Sequence, residues 1–144
     1  MLVNEIMTMA PTCCTPETRL DVVAKMMLNH DCGAIPVCDG DRLAGVITDR
    51  DIVLRAVARG MTPAAVAASE VMSRPVYTVR EDEAVAVALA TMQKRQIRRL
   101  PVVDDTGGLA GMISEADIAA RLPDLEVANV VRHVSRKRIP TVVA

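Results

Sequence analysis

A mixed α/β (α+β) fold built from two tandem β-α-β-β-α repeats is what this sequence predicts, and three observations predict it. An internal repeat runs through the chain at a nearly constant offset. Within each copy, one stretch of helical apolar periodicity leads into two short apolar strands separated by a polar turn. The 144 residues, 51% apolar and 24% charged, can bury one ordinary core, but a copy of about 60 residues cannot easily cover both faces of its own sheet. The two sheets are therefore expected to pack on each other, which makes the copies halves of one unit.

The repeat is carried by three motifs. Glu5-Ile6-Met7-Thr8 recurs 65 residues later as Glu70-Val71-Met72-Ser73, and Ile35-Pro36-Val37-Cys38-Asp39 recurs at the same offset as Leu100-Pro101-Val102-Val103-Asp104. One residue is then added in the turn. Gly45-Val46-Ile47-Thr48-Asp49-Arg50-Asp51-Ile52 thus matches Gly111-Met112-Ile113-Ser114-Glu115-Ala116-Asp117-Ile118 at offset 66. The copies occupy residues 1–60 and 70–123, joined by a connector over 61–69 and followed by a segment over 124–144.

Each element has its own signal. A short extended piece is expected around Thr12 to Thr15 and again around Val76 to Val79. Leu20, Val23, Ala24, Met27 and Leu28 recur at helical spacing, which predicts an amphipathic helix from about Arg19 to His30; Val85, Ala88, Leu89 and Met92 repeat it. Strands follow over Ala34 to Cys38 and Arg99 to Val103, turns over Asp39-Gly40-Asp41 and Asp104 to Gly108, and second strands over Leu43 to Ile47 and Leu109 to Ile113. A second helix starts near Asp49 and near Glu115 and stops around Gly60 and before Pro123. Thr62-Pro63 opens a short helix in the connector. After Pro123, Val127, Val130, Val131 and Val134 predict a terminal helix ahead of a basic tail.

Composition excludes several function classes. No stretch approaches the roughly 20 apolar residues of a membrane span, and the first ten residues carry no basic start before an apolar run, so a cytoplasmic protein is expected. Seventeen Lys and Arg against eighteen Asp and Glu give a formal charge of −1, which offers nucleic acid no general attraction. Tyr77 is the sole aromatic residue, so stacking platforms for single strands are missing. Cys13, Cys14, Cys32 and Cys38 match no standard zinc spacing; they read as reduced thiols, with a reversible disulfide between the 13/14 pair and Cys38, or a metal, as the alternatives. His30 and His133 stand apart from any nucleophile pattern, and no catalytic residue is assigned.

The duplicated order of motifs resembles a tandem pair of cystathionine-β-synthase (CBS) domains, a Bateman module, over roughly residues 3 to 122. The resemblance implies halves related by a pseudo-two-fold axis. It also implies a stand-alone regulatory module with two equivalent clefts that bind adenosyl ligands: AMP, ADP, ATP, S-adenosylmethionine or a dinucleotide. No catalytic cofactor is implied, and the nucleotide would act as a regulatory ligand.

The residues fit such ligands chemically. A carboxylate can accept hydrogen bonds from both hydroxyls of a ribose, which suits Asp51 and Asp117. Thr48 and Ser114, each just ahead of a helix, offer hydroxyl donors to phosphate. The same pairs also satisfy a helix-capping box, and both roles are compatible. By the resemblance, one cleft would use Ser114 and Asp117, with Met112, Met7, Thr12, Cys32, Gly33 and Ala34 lining the base pocket. The other would use Thr48 and Asp51, with Val46, Met72, Tyr77 and Ile97. Tyr77 reads equally as a purine contact and as partial core. Arg98 and Arg99 stand where copy one has Gly33 and Ala34, so phosphate would find cations on one side only and the clefts would differ in affinity. Lys94 and Arg95 complete that basic run at a helix end; Arg132, His133, Arg136, Lys137 and Arg138 form a second one in the tail.

Two other functions compete with nucleotide sensing. One is a homodimeric interaction protein with degenerate clefts, docking on a regulated partner through its apolar terminal helix and the first helices. The other is a metal- or redox-responsive protein using the cysteines. An enzyme fits worst, since no nucleophile and base pair, metal triad or glycine-rich phosphate loop is visible.

Overall fold

Leu20, Val23 and Met27 line one side of helix α1 (Leu20–His30) and are buried there, as Val85, Ala88 and Met92 are in α4 (Val85–Arg95). Both helices end on a residue in the left-handed region, Asp31 at φ 47° and Gln96 at φ 53°, whose N–H closes the last turn. Each then feeds a hairpin: β2 (Ala34–Asp39) with β3 (Arg42–Thr48), and β5 (Arg99–Val103) with β6 (Leu109–Ser114). The turns use Gly40 at φ 59° and Gly107 at φ 85°, a conformation open to residues without Cβ. Both hairpins carry a register shift at the same place, Val37/Cys38 and Val102/Val103. The computed structural model describes residues 1–74, 76–123 and 132; the terminal helix and most of the basic tail expected from the sequence lie outside these.

The helices that follow the hairpins are shorter than the pattern suggests. Helix α2 spans Asp49–Arg55 and gives way to a 3-10 turn over Val57–Arg59 before Gly60, and α5 spans Glu115–Ala119. In the connector, Pro63–Ala65 form a 3-10 turn and Ala68–Val71 a single turn of helix, α3. Short strands β1 (Thr8–Met9) and β4 (Val79–Arg80) flank the second hairpin, giving a four-stranded sheet in the order β1-β6-β5-β4.

The pairings show an exchange between the halves. Thr8, from the start of copy one, pairs with Met112 in β6 of copy two, while its counterpart Ser73 pairs with Val46 in β3 of copy one. Cys14 and Val79 occupy the matching parallel edges beside Val37 and Val102. The bridges Arg19 to Ala67 and Leu2 to Ala84 are likewise related by the repeat. Arg42 bridges Gly108, its own counterpart, so this contact lies on the pseudo-two-fold axis where the sheets meet.

Each half therefore completes the other's core. One core joins Leu20, Val23, Ile35, Val37, Ile47 and Ile52 to Ala68, Val71 and Met72. The other joins Val79, Val85, Met92, Leu100, Val102, Ile113 and Ile118 to Val3, Ile6 and Met7. Burial of such side chains is worth roughly 1.5–3 kcal/mol each, so the exchanged segments bind the halves strongly. The first four residues of β2 are buried in succession rather than alternately, as expected for a strand covered on both faces.

Candidate functional site

Two open clefts flank the axis between the halves, one of about 680 Å³ and one of about 510 Å³. Both volumes fall within the roughly 300–1,000 Å³ typical of small-ligand sites. The smaller is the Ser114 cleft. Ser114, Asp117, Met112, Thr12, Cys32 and Gly33 all line it. The larger is the Thr48 cleft, lined by Thr48, Val46, Tyr77, Ile97, Arg98 and Arg99.

Four sequence-derived candidates lie elsewhere than expected. Met7 and Met72 are core residues: their side chains lie against Gly111 and Gly45, where an added Cβ would fall 2.7 Å and 2.5 Å from the sulfur atoms. Glycine in a strand marks such a close approach, and this was the signal in the Gly-apolar-Ile motif. Ala34 lines the Thr48 cleft instead of the Ser114 cleft, which its neighbour Gly33 lines, because successive residues of an extended segment face opposite sides. Asp51 is only 8% exposed and does not line a cleft.

The two carboxylates are held differently. Asp51 Oδ2 accepts from the Thr48 backbone N–H at 3.0 Å, while Thr48 Oγ1 accepts from the Asp51 N–H at 3.1 Å, a reciprocal cap on α2. The Ser73 hydroxyl reaches both Asp51 oxygens, at 3.3 and 3.2 Å, and Arg55 Nε stands 3.7 Å from Oδ1. Arg55 also donates to the carbonyls of Val71 and Met72, so the exchanged segment is clamped over Asp51. Asp117 makes the same cap on α5: Oδ2 accepts from Ser114 N–H and Oγ, each at 2.7 Å, and Ser114 Oγ accepts from Asp117 N–H at 3.1 Å. Its carboxylate stays on the cleft wall.

Charge divides unevenly between the clefts. Arg50, Arg74, Arg98 and Arg99 line the Thr48 cleft against a single carboxylate, Asp49. Asp31 and Asp117 line the Ser114 cleft together with Arg99 and His30. Arg99 thus reaches both, passing Gly33, whose missing Cβ would lie 3.3 Å from its Nη2. The cations expected on one side only are therefore shared at this residue. Tyr77 carries the Arg95 guanidinium 4.2 Å from its ring centroid, a cation–π contact that orients the ring at the cleft edge.

The sequence reading missed several lining residues. Ala10, Asp31 and Gln96, the three non-glycine residues with positive φ among those described, all line a cleft. Strained backbone concentrates at ligand sites, but no local pattern announces it. Ser73 and Thr8 line the clefts only because of the exchange.

The cysteines are free thiols. Cys14 is buried and Cys13 exposed, and the Cys38 N–H donates to the Cys14 carbonyl at 2.8 Å. Burial pushes the Cys14 and Cys38 thiols up to about 11, with the neighbouring cysteines adding to the rise. Among the described residues no three His, Cys, Asp or Glu converge as a metal site, and no helix is long and apolar enough to cross a membrane.

The family model of the CBS domain matches residues 3–57 and 68–124. Hypoxic response protein 1 of Mycobacterium tuberculosis is 37% identical over 132 residues, 91% of this chain and 92% of its own length. A crystal structure of Hypoxic Response Protein I with two coordinated zinc ions, 38% identical, superposes with a TM-score of 0.78 over 85% of this chain and 100% of that one. The CBS domain pair of protein MJ0100, solved with 5-methylthioadenosine and S-adenosyl-L-methionine, is 30% identical, with a TM-score of 0.75 over 83% of this chain and 94% of that one. The CBS domain protein PAE2072 from Pyrobaculum aerophilum, complexed with AMP, is 25% identical, with a TM-score of 0.77 over 90% and 99%. Two matched domains, a pseudo-two-fold exchange and paired clefts converge on one conclusion: the chain belongs to the CBS domain family.

Proposed function

We propose that this protein is a regulatory module that binds an adenosyl ligand, an adenine nucleotide or a related compound, in the clefts between its halves, without enzyme chemistry of its own. The observation that carries the reading is Asp117 on the wall of the Ser114 cleft, its Oδ2 fixed by the Ser114 cap. A carboxylate oriented in this way meets a ribose diol without first being reorganised. The adenosyl ligands of MJ0100 and PAE2072 support the class of ligand. Burial raises the Cys14 and Cys38 thiols, which speaks against nucleophile or metal-ligand chemistry at those two residues, because the thiolate is the species that does both.

A thermal-shift panel of AMP, ATP, 5′-methylthioadenosine, S-adenosylmethionine and GTP, with zinc as a separate arm, tests this reading. Adenosyl ligands are expected to raise Tm, since binding to the native state stabilises it by mass action. Asp117→Ala should abolish the shift for at least one of them. A panel in which zinc alone raises Tm would contradict the reading and favour the metal-responsive alternative.

The second reading, a homodimer that docks on a regulated cytoplasmic partner, is supported by apolar side chains left exposed on the first half. Leu28 is 79% exposed, Val53 53%, Leu54 45% and Val57 54%. Three of these, Val53, Leu54 and Val57, fall within five residues of the chain, apolar area that a partner would cover. Light scattering should give a dimer that Leu54→Glu dissociates; a strict monomer would contradict it.

A further inference from the structure

We propose that the two clefts sort their ligands by charge: the Thr48 cleft takes the polyphosphate nucleotide, and the Ser114 cleft takes an adenosyl ligand that carries no phosphate. The inference rests on the adenosyl reading above and adds which ligand goes where.

Three observations lead to it. Four arginines and one aspartate line the Thr48 cleft. Glu115 stands 3.8 Å from Arg98 and offsets part of that charge, yet the wall remains cationic. The carboxylate that the repeat would add there, Asp51, is withdrawn beneath Ser73 and beside Arg55, so it opposes no incoming anion. In the Ser114 cleft the balance reverses. Asp31 and Asp117 face Arg99 and His30, and a polyphosphate entering there would meet two carboxylates for one guanidinium and one imidazole.

Cleft walls of one sign focus the field and select the ligand of opposite sign. Guanidinium groups add paired, charge-assisted hydrogen bonds to phosphate. A neutral or sulfonium-bearing adenosyl ligand avoids the repulsion at Asp31 and keeps the ribose grip of Asp117.

Isothermal titration of ATP and of S-adenosylmethionine into three proteins tests the assignment: the wild type, an Arg50→Ala/Arg74→Ala double variant, and an Asp31→Asn/Asp117→Asn double variant. Asn keeps both the left-handed position at 31 and the cap acceptor at 117, and melting curves report the fold of each variant. The arginine variant should weaken ATP about tenfold or more and leave S-adenosylmethionine unchanged; the asparagine variant should do the reverse. Wild type saturated with one ligand should still bind the other. Competition for one cleft, or equal loss of both ligands in both variants, overturns the sorting while leaving adenosyl binding intact. No binding of either ligand to the wild type overturns both.

Discussion

Asp117 and Asp51 occupy equivalent places in the repeat, yet only Asp117 meets a cleft, and the difference lies in what covers them. Ser73 hydrogen-bonds to Asp51; in the other half the matching residue is Thr8, which lines the cleft alongside Asp117. A pattern of four residues shows the cap but not its lid, since the lid comes from the other copy. Arg99 has the opposite character, because one side chain serves two clefts. Arg99→Ala should therefore change binding in both clefts, weakening the phosphate-bearing ligand of the Thr48 cleft about tenfold and not weakening a sulfonium ligand in the Ser114 cleft, whereas Arg74→Ala should act on one. Titration of both variants with the same two ligands checks this. The cysteines give a residue-scale prediction in pH. Cys14 and Cys38 ionise only as pH rises toward about 11, so their alkylation at pH 8 should be slow and should accelerate up to that value. Rapid modification of both at neutral pH would contradict the burial argument.

At the scale of elements, glycines and caps carry the structure. Gly111 allows β1 to lie on β6: an added Cβ would fall 2.7 Å from the Thr8 carbonyl as well as from the Met7 sulfur. Gly111→Ala should thus cost about 1–3 kcal/mol. At Gly45 the three atoms nearest an added Cβ all belong to the Met72 side chain rather than to backbone, so Gly45→Ala should cost less; urea unfolding of the pair measures the difference. Ser114→Ala and Thr48→Ala each remove a cap hydroxyl and should cost about 1 kcal/mol. In the β5–β6 turn, the Thr106 hydroxyl and the Gly108 and Thr106 N–H groups hold the Asp104 carboxyl below its usual value of 3.8. A carboxyl depressed in the folded state stabilises above its unfolded pKa and loses that contribution as pH falls through the folded one. Melting curves between about pH 5 and pH 2 should show this loss, and Asp104→Asn should reduce its size. The helix and strand periods were legible because each is a local property of the chain. The short α2 was not, since Arg55 in its last turn bonds to the Val71 and Met72 carbonyls of the exchanged segment.

For the whole molecule, the exchange makes the halves interdependent. Val3, Ile6 and Met7 complete the second core, and Ala68, Val71 and Met72 the first. Removing residues 1–9 should therefore unfold the second half, and circular dichroism on the truncated chain would show it; an intact fold would contradict the exchange. The duplication was readable from the motif offsets, because both copies must satisfy the same packing. The exchange was not, since Ile6-Met7 and Val71-Met72 read alike whichever core receives them. The placement of Met7 and Met72 followed from that ambiguity, and the glycines opposite them were the overlooked clue. The central claim is that an adenosyl group lies between the halves with its sugar on Asp117. A crystal structure of the protein with 5′-methylthioadenosine tests it most directly: both ribose hydroxyls should lie within hydrogen-bonding distance of the Asp117 carboxylate in the Ser114 cleft. A ligand bound outside that cleft, or with its ribose turned away from Asp117, would contradict the account.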